Sequence, residues 1–264
     1  MSKYGFIGCG NMGGALAAAA AKAVGGNAIL LADADEQKAK ALAEKIGATV
    51  STNETIAKSC QFIVLGVKPQ MMGVLMQEIA PFISFESVVV SMAAGLSLSR
   101  LKELLGVERP LIRIMPNTPV QVGEGRILYA MDGVKLHQEK AFLELFSHAG
   151  TLHALEEKLI DAGTALSGCG PAFVYLFIEA LADGAVTCGL PRETALELAA
   201  GTVLGSAEMV LKTGIHPGAL KDAVCSPGGS TIEGVHALEQ NGFRGAAMEA
   251  VIKAFEKTKE LGKK

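Results

Sequence analysis

The run Ser226-Pro227-Gly228-Gly229-Ser230-Thr231-Ile232 is a glycine-hinged loop set in a stretch that otherwise reads as helix after helix. Adjacent glycines let backbone N–H groups turn toward a bound anion, because no Cβ blocks the approach. Thr231 stands where the next helix begins, with a hydroxyl able to donate or accept a hydrogen bond. Exposed amides at a helix start suit a carboxylate or a phosphate, so the amides of Gly228, Gly229, Ser230 and Thr231 are candidates to hold an acidic small molecule. The same residues also spell an ordinary helix–helix connection with Ser230 or Thr231 as N-cap.

A second constellation lies at the other end of the chain. Gly8-Cys9-Gly10-Asn11-Met12-Gly13 follows a short apolar run and opens a helical one, and Asp33 closes the next apolar run. That context turns a weak glycine pattern into a dinucleotide fingerprint. Gly8 makes the tight turn, Gly10 admits the pyrophosphate, and Gly13 lets helix and strand pack closely. A carboxylate at Asp33 suits the ribose hydroxyls of NAD and repels the extra phosphate of NADP, and Ala34-Asp35-Glu36 supplies no arginine to offset it. The alternative is that Asp33 only caps a helix. Three more loops follow apolar runs, at the strand ends where open α/β sheets bind ligands: Val67-Lys68-Pro69, Ala93-Ala94-Gly95 and Met115-Pro116-Asn117-Thr118-Pro119. Lys68 could contact phosphate or ribose, or be a solvated loop lysine.

These loops need a scaffold, and the chain has two kinds of grammar. Over residues 1–157, short β-type runs (Tyr4–Gly8, Ala28–Ala32, Phe62–Gly66, Val88–Ser91, Leu111–Ile114) alternate with amphipathic segments such as Glu36–Ile46 and Met71–Ala80. The pattern then loosens into Arg126–Met131, a helix at His137–His148, and Thr151–Leu155. Strands alternating with helices predict an α/β domain with a Rossmann-type doubly wound sheet. Over residues 158–264 strand signals largely vanish. Phe173–Thr187, a run from Pro191 to Gly214, and starts at Pro217, Thr231 and Phe243 predict an all-helical domain. Its first two long helices are apolar nearly all round and must be buried. About 100 residues offer little interior, so a homodimer is expected.

Several function classes are excluded by composition. A net charge of −3 with no basic block argues against nucleic acid. Five scattered cysteines without a CxxC pair, and five dispersed histidines, argue against a disulfide framework and a metal site. Lys22 interrupts the alanine-rich run 15–24, and no other stretch reads as long enough for a bilayer. The first thirty residues superficially resemble a signal peptide, but their apolar run sits behind a glycine fingerprint and lacks a basic start. A soluble, cytoplasmic protein without a membrane partner is the expectation.

The motifs together resemble one family. Gly8–Gly13, Val67-Lys68-Pro69, Ser91-Met92-Ala93-Ala94-Gly95, Arg113–Pro119, Ser167-Gly168-Cys169-Gly170-Pro171-Ala172 and Asp222–Ile232 are similar, in order and end to end, to the motifs of pyrroline-5-carboxylate reductases. The resemblance implies NADPH- or NADH-dependent reduction of the C=N bond of 1-pyrroline-5-carboxylate to L-proline, the last step of proline biosynthesis. It also implies a C-terminal dimerisation domain and often rings of dimers. It places cofactor contacts on Ile7, Gly8, Cys9, Gly10, Asn11, Met12, Asn53, Gly66, Val67, Lys68, Pro69, Ala93, Ala94 and Gly95, and substrate contacts on Ser230 and Thr231, with Thr231 at the ring nitrogen. Asp33 and Asn117 join the cofactor list from position alone. Cys169 stands where many members have serine, and Ala223 where some have asparagine. Asp33 is the departure that matters, because members often prefer NADPH.

Two rivals are weaker. A β-hydroxyacid dehydrogenase shares the glycine fingerprint and the helical second domain, but needs a lysine base four residues beyond a GxG turn. Here Val174 follows Gly170 at that distance. A non-catalytic nucleotide-binding regulator would leave the Gly-Gly-Ser-Thr loop without a task.

Overall fold

The structure is a computed structural model that describes residues 3–261. Within them the chain forms two compact units. One runs to Cys169 and takes the chain back from Ala254; the other is Gly170–Lys253.

The first unit is built on one sheet. Strands β1 (Tyr4–Ile7), β2 (Ile29–Ala32), β3 (Thr49–Val50), β4 (Phe62–Leu65), β5 (Val88–Ser91), β6 (Leu111–Met115), β7 (Gly125–Asp132) and β8 (Gly150–Ala154) lie in the order β3-β2-β1-β4-β5-β6-β7-β8. Strands β1 to β6 pair in parallel; β7 runs antiparallel to β6, and β8 parallel to β7. Helices α1 (Asn11–Val24), α2 (Glu36–Ile46), α3 (Asn53–Ser59), α4 (Pro69–Ile79), α5 (Leu98–Leu105), α6 (Leu136–Leu145) and α7 (Glu157–Gly163) fill the connections. The central strands are unbroken apolar runs because both faces are covered: every residue of β2, β4, β5 and β6 is buried. The pleat divides β4 between two cores. Ile63 and Leu65 pack with Met72, Met76 and Leu101, whereas Phe62 and Val64 pack with Leu16, Phe142 and Phe146.

Register then positions the loops. Ile7 pairs with both Ala32 and Leu65, and Leu65 pairs with Ser91. The residues that follow (Gly8, Asp33, Gly66 and Met92) therefore leave the same sheet edge side by side. The order reverses between β2-β1 and β4, the crevice where open α/β sheets bind ligands.

The second unit contains α8 (Gly170–Thr187), α9 (Arg192–Thr213), α10 (Pro217–Ala223), α11 (Ser230–Gln240) and most of α12 (Phe243–Leu261). Pro191 lies one residue before α9, as its N-cap. Helices α8 and α9 pack on small residues: Ala182, Ala195 and Ala199 are the buried hydrophobics of this unit among the described residues. Leu176, Leu204, Leu211 and Met248 are each more than 60% exposed. A unit with so small a core and so much exposed apolar surface calls for a partner surface.

One expectation is corrected here. The continuous helical run Glu157–Thr187 and helix α9 are both long and apolar enough to cross a membrane by length and composition. Residues 170–187 carry only Glu179 and Asp183, and residues 194–211 only Glu197 and Glu208. Those isolated acids do not offset the surrounding Ala, Leu and Val.

Candidate active site

At the switch point the chain turns from β1 into α1. Gly8 has φ of 103°, and a Cβ there would lie 2.6 Å from the Gly66 carbonyl carbon. Only glycine combines that backbone with that approach. The turn is pinned from both sides, by Gly8 N donating to Ala32 O at 2.8 Å and Gly66 N donating to Ile7 O at 2.7 Å. Gly13 is packed so tightly that a Cβ would run into the Gly8 carbonyl oxygen, whereas a Cβ on Gly10 would meet nothing within 4 Å. Gly10 is the N-cap of α1; no side chain caps the helix and its first turn holds no acidic residue. The first α1 amide with an intrahelical acceptor is Gly14 N, bonded to Gly10 O at 2.7 Å. The amides of Asn11, Met12 and Gly13 are therefore directed outward over the space above Gly10, which fits a pyrophosphate.

Asp33 leaves β2 with its carboxylate fixed: it accepts from Cys9 N at 2.6 Å and from Asp35 N at 2.9 Å. The cap of α2 is Asp35, which accepts from Gln37 N, so the capping alternative for Asp33 falls to its neighbour. Asp33 and Glu36 line a cavity of about 250 Å³ with Val50, Ser51 and Thr52. The cations nearest along α2 are already engaged, Lys38 with Asp35 and Lys40 with Glu36. Burial, reinforced by the Asp33 charge, pushes the Cys9 thiol up to about 11, so Cys9 is a neutral packing group.

Asn53 opens α3, and its amide donates to Glu78 on α4 at 3.1 Å. Lys68 is exposed at the N-cap of α4, with Pro69 in the first turn. After β5, Ala93 N donates to Ser91 Oγ at 3.3 Å, Ala94 is exposed, and the turn closes with Leu96 N donating to Ala93 O at 3.5 Å. Pro69, Ala94, Gly95, Ser97, Arg113 and Asp161 share a cavity of about 900 Å³ beyond the carboxyl ends of β4 to β6.

Asn117 lies apart from these loops in what it does. It is buried, donates to Ser167 O at 2.9 Å, and accepts from Arg126 N at 2.8 Å. Pro171 lacks the N–H that Ser167 O would receive four residues on in an α-helix. The chain passes through a π-turn at Thr164–Gly168, and Asn117 satisfies the released carbonyl. Its side chain is a latch on that break.

Arg113 is the residue whose role the sequence concealed. It sits mid-strand in β6, its side chain 5% exposed, 2.6 Å from Asp161 Oδ1 and 3.4 Å from Glu157 Oε1, and its buried Nε has no hydrogen-bond partner. A lone arginine inside Leu111-Ile112-Arg113-Ile114-Met115 is a legible signal, because a buried charge needs partners. The partners, 44 and 48 residues on, are not legible.

In the helical unit, Gly229 N donates to Ser226 O at 3.0 Å, closing a turn with Pro227 and Gly228 at its corners; Gly228 has φ of 67°. Helix α11 starts at Ser230 with Gly229 as N-cap and no side-chain cap bond. This corrects the expectation that Ser230 or Thr231 caps the helix. Glycine is an acceptable N-cap, the Gly229 amide is taken by the turn, and Thr231 is the second helical residue with its hydroxyl outside the capping bonds. The first intrahelical donor is Glu233 N, to Gly229 O at 3.4 Å. The amides of Ser230, Thr231 and Ile232 thus precede the ladder.

A glycine-lined helix start at the switch point of a parallel sheet, with an acid closing the second strand and a separate helical unit, defines a Rossmann-type NAD(P)-dependent oxidoreductase. Residues 3–95 match the family model described as NADP oxidoreductase, coenzyme F420-dependent, and residues 157–261 match that for pyrroline-5-carboxylate reductase dimerisation. The chain is 46% identical to the pyrroline-5-carboxylate reductase of Methanosarcina acetivorans, over 99% of this chain and 98% of the relative. It is 42% identical to that of Escherichia coli, with the same coverage. The pyrroline carboxylate reductase of Plasmodium falciparum, solved with NADP bound, superposes with a TM-score of 0.89 at 38% identity over 99% of this chain and 98% of that one. The chain belongs to the pyrroline-5-carboxylate reductase family.

Proposed function

We propose that this protein reduces the C=N bond of 1-pyrroline-5-carboxylate to give L-proline, with NAD(P)H as reductant, the last step of proline biosynthesis. The observation that carries this reading is the near-full-length identity to relatives of that name, which spans both the nucleotide loops and the Gly-Gly-Ser-Thr loop. When bound, the reduced nicotinamide supplies the hydride. The chain's own work is chiefly alignment, because a cyclic imine is already electrophilic. The α1 start with Gly10, Asn11 and Met12 holds the pyrophosphate, Asp33 the ribose, and Gly66–Pro69 with Ala93–Gly95 flank the nicotinamide half. The buried Asn117 amide is engaged by Ser167 and Arg126, which leaves its backbone for the cofactor, while Asn53 keeps the contact that the resemblance gives it. In the helical unit, the amides at the start of α11 receive the substrate carboxylate, and the Thr231 hydroxyl hydrogen-bonds the ring nitrogen as it becomes an amine.

NADH is the proposed reductant. Asp33 and Glu36 put two carboxylates around the cavity next to the ribose position, and Lys38 and Lys40 are held by Asp35 and Glu36. A 2′-phosphate there meets repulsion without a ready counter-charge. Steady-state rates are expected to favour NADH over NADPH in kcat/KM. Asp33→Ser should move that ratio toward NADPH by about tenfold or more, equivalent to about 1.4 kcal/mol of relieved repulsion. An unchanged ratio would remove Asp33 from the choice of cofactor.

A second copy of this chain is the proposed cover for the exposed faces of α8 and α9, as a homodimer or a ring of dimers. The dimerisation-model match supports this over a lipid surface. Sedimentation of the detergent-free protein should give twice the chain mass or a multiple of it. A monomer, or a protein recovered only with detergent, would contradict it. The negative net charge supports no nucleic-acid partner. The five free cysteines fit a reducing, cytoplasmic setting.

A further inference from the structure

We propose that Glu157 is a positioning residue for the nicotinamide half of the cofactor: oriented by Arg113, its carboxylate ties down the start of α5 and so fixes the Ala93–Gly95 turn. This rests on the reading that the turn flanks the nicotinamide.

The geometry separates two carboxylates that look alike in sequence. Asp161 is the primary partner of the Arg113 guanidinium, at 2.6 Å from Nη2. Glu157 is more distant, at 3.4 Å from Nη1, and its short bond goes elsewhere: Oε1 accepts from Leu98 N at 2.6 Å. Leu98 is the first residue of α5, so Glu157 satisfies an amide that the helix cannot satisfy itself. A carboxylate at that end also interacts favourably with the helix dipole. The adjoining cap, Ser97 Oγ accepting from Arg100 N at 3.1 Å, is local and leaves the Leu98 amide unserved.

The loop between Ser91 and Leu98 is thereby held at both ends. Ser91, wholly buried, accepts from Ala93 N at one end, and Glu157 accepts from Leu98 N at the other. Between them Ala94 and Gly95 line the cavity of about 900 Å³. A six-residue span with two fixed ends presents its backbone in one place, and small misplacements of a reacting group lower rates steeply. Arg113 is needed because Glu157 is 31% exposed and would otherwise swing into solvent.

The test compares Glu157→Ala and Glu157→Gln with the wild type, reading the mobility of bound nicotinamide by fluorescence anisotropy decay of NADH, alongside NADH affinity, kcat, the deuterium isotope effect on kcat with 4-deuterated NADH, and Tm. In Glu157→Ala, the bound nicotinamide should become more mobile, with NADH affinity within about threefold, kcat down by about tenfold or more, and the isotope effect raised. Glu157→Gln keeps an acceptor for the Leu98 amide and should stay within about threefold of wild type in kcat. The proposal is overturned if Glu157→Ala leaves both mobility and kcat unchanged. It is overturned equally if Glu157→Gln is as impaired as Glu157→Ala, or if the only effect is a lower Tm with an unchanged isotope effect. A wild type that binds NADH without reducing 1-pyrroline-5-carboxylate would refute the proposed reaction, while the mobility comparison would still decide the role of Glu157.

Discussion

Replacing Thr231 by alanine is expected to lower kcat for 1-pyrroline-5-carboxylate reduction by about 10- to 100-fold, with the affinity for NADH within about twofold of wild type. The separation follows from the local structure. Helix α11 is capped by Gly229, so removing the Thr231 hydroxyl takes away no capping bond. Thr231 is exposed, so no core void is created. On the proposed function the change is confined to a group that meets the ring nitrogen as charge shifts onto it, and Tm should move by no more than about a degree or two. Thr231→Ser keeps a hydroxyl and should restore most of the rate. Steady-state rates with a cofactor titration check this. Equal loss of rate and cofactor affinity would place Thr231 in nucleotide binding, and an unchanged rate would remove it from catalysis.

The second large effect contrasts two glycines three residues apart in the same fingerprint. Gly13→Ala should destabilise the protein by about 1–3 kcal/mol and abolish measurable NADH binding. Its Cβ would run into the Gly8 carbonyl oxygen, a main-chain atom fixed between Ala32 and Gly66. Gly10→Ala should fold as well as wild type: Gly10 has φ of −68°, open to any residue, and its Cβ meets nothing within 4 Å. Yet its NADH affinity should fall by about tenfold or more, because the methyl group occupies the approach to the α1 amides. Thermal denaturation with and without NADH separates the cases. A Gly10→Ala protein stabilised by NADH as much as wild type would mean that the pyrophosphate does not lie over Gly10.

Much of the first unit was legible because its strands are buried on both faces. Val88–Ser91 reads as one apolar run and forms one strand with the same ends. β3 is two residues with both side chains exposed, too short and too solvated for any period to reveal. The glycine fingerprint was legible because a strand, a helix and Asp33 stood at the right intervals. Asn53 and Asn117 were placed near the cofactor by resemblance and by position; what went unread is the bonding of their amides to Glu78, and to Ser167 and Arg126. Such tertiary bonds leave no trace in local spacing. The cap of α11 went to Gly229 because the Ser226–Gly229 turn sets the backbone before any side chain can. The apolar character of α8 and α9 was read as a demand for burial, and within the single chain most of both helices is exposed. Their length and composition suit a membrane as well, so hydropathy does not separate a second copy of the chain from a bilayer; the dimerisation-model match favours the second copy.

The most direct test of the central claim is a stoichiometric assay of the purified protein with 1-pyrroline-5-carboxylate and NADH, following nicotinamide oxidation and proline formation together. The proposed function predicts one proline formed per NADH oxidised, at a rate proportional to protein and absent without it. No proline, or NADH oxidation independent of 1-pyrroline-5-carboxylate with either NADH or NADPH as reductant, would contradict it.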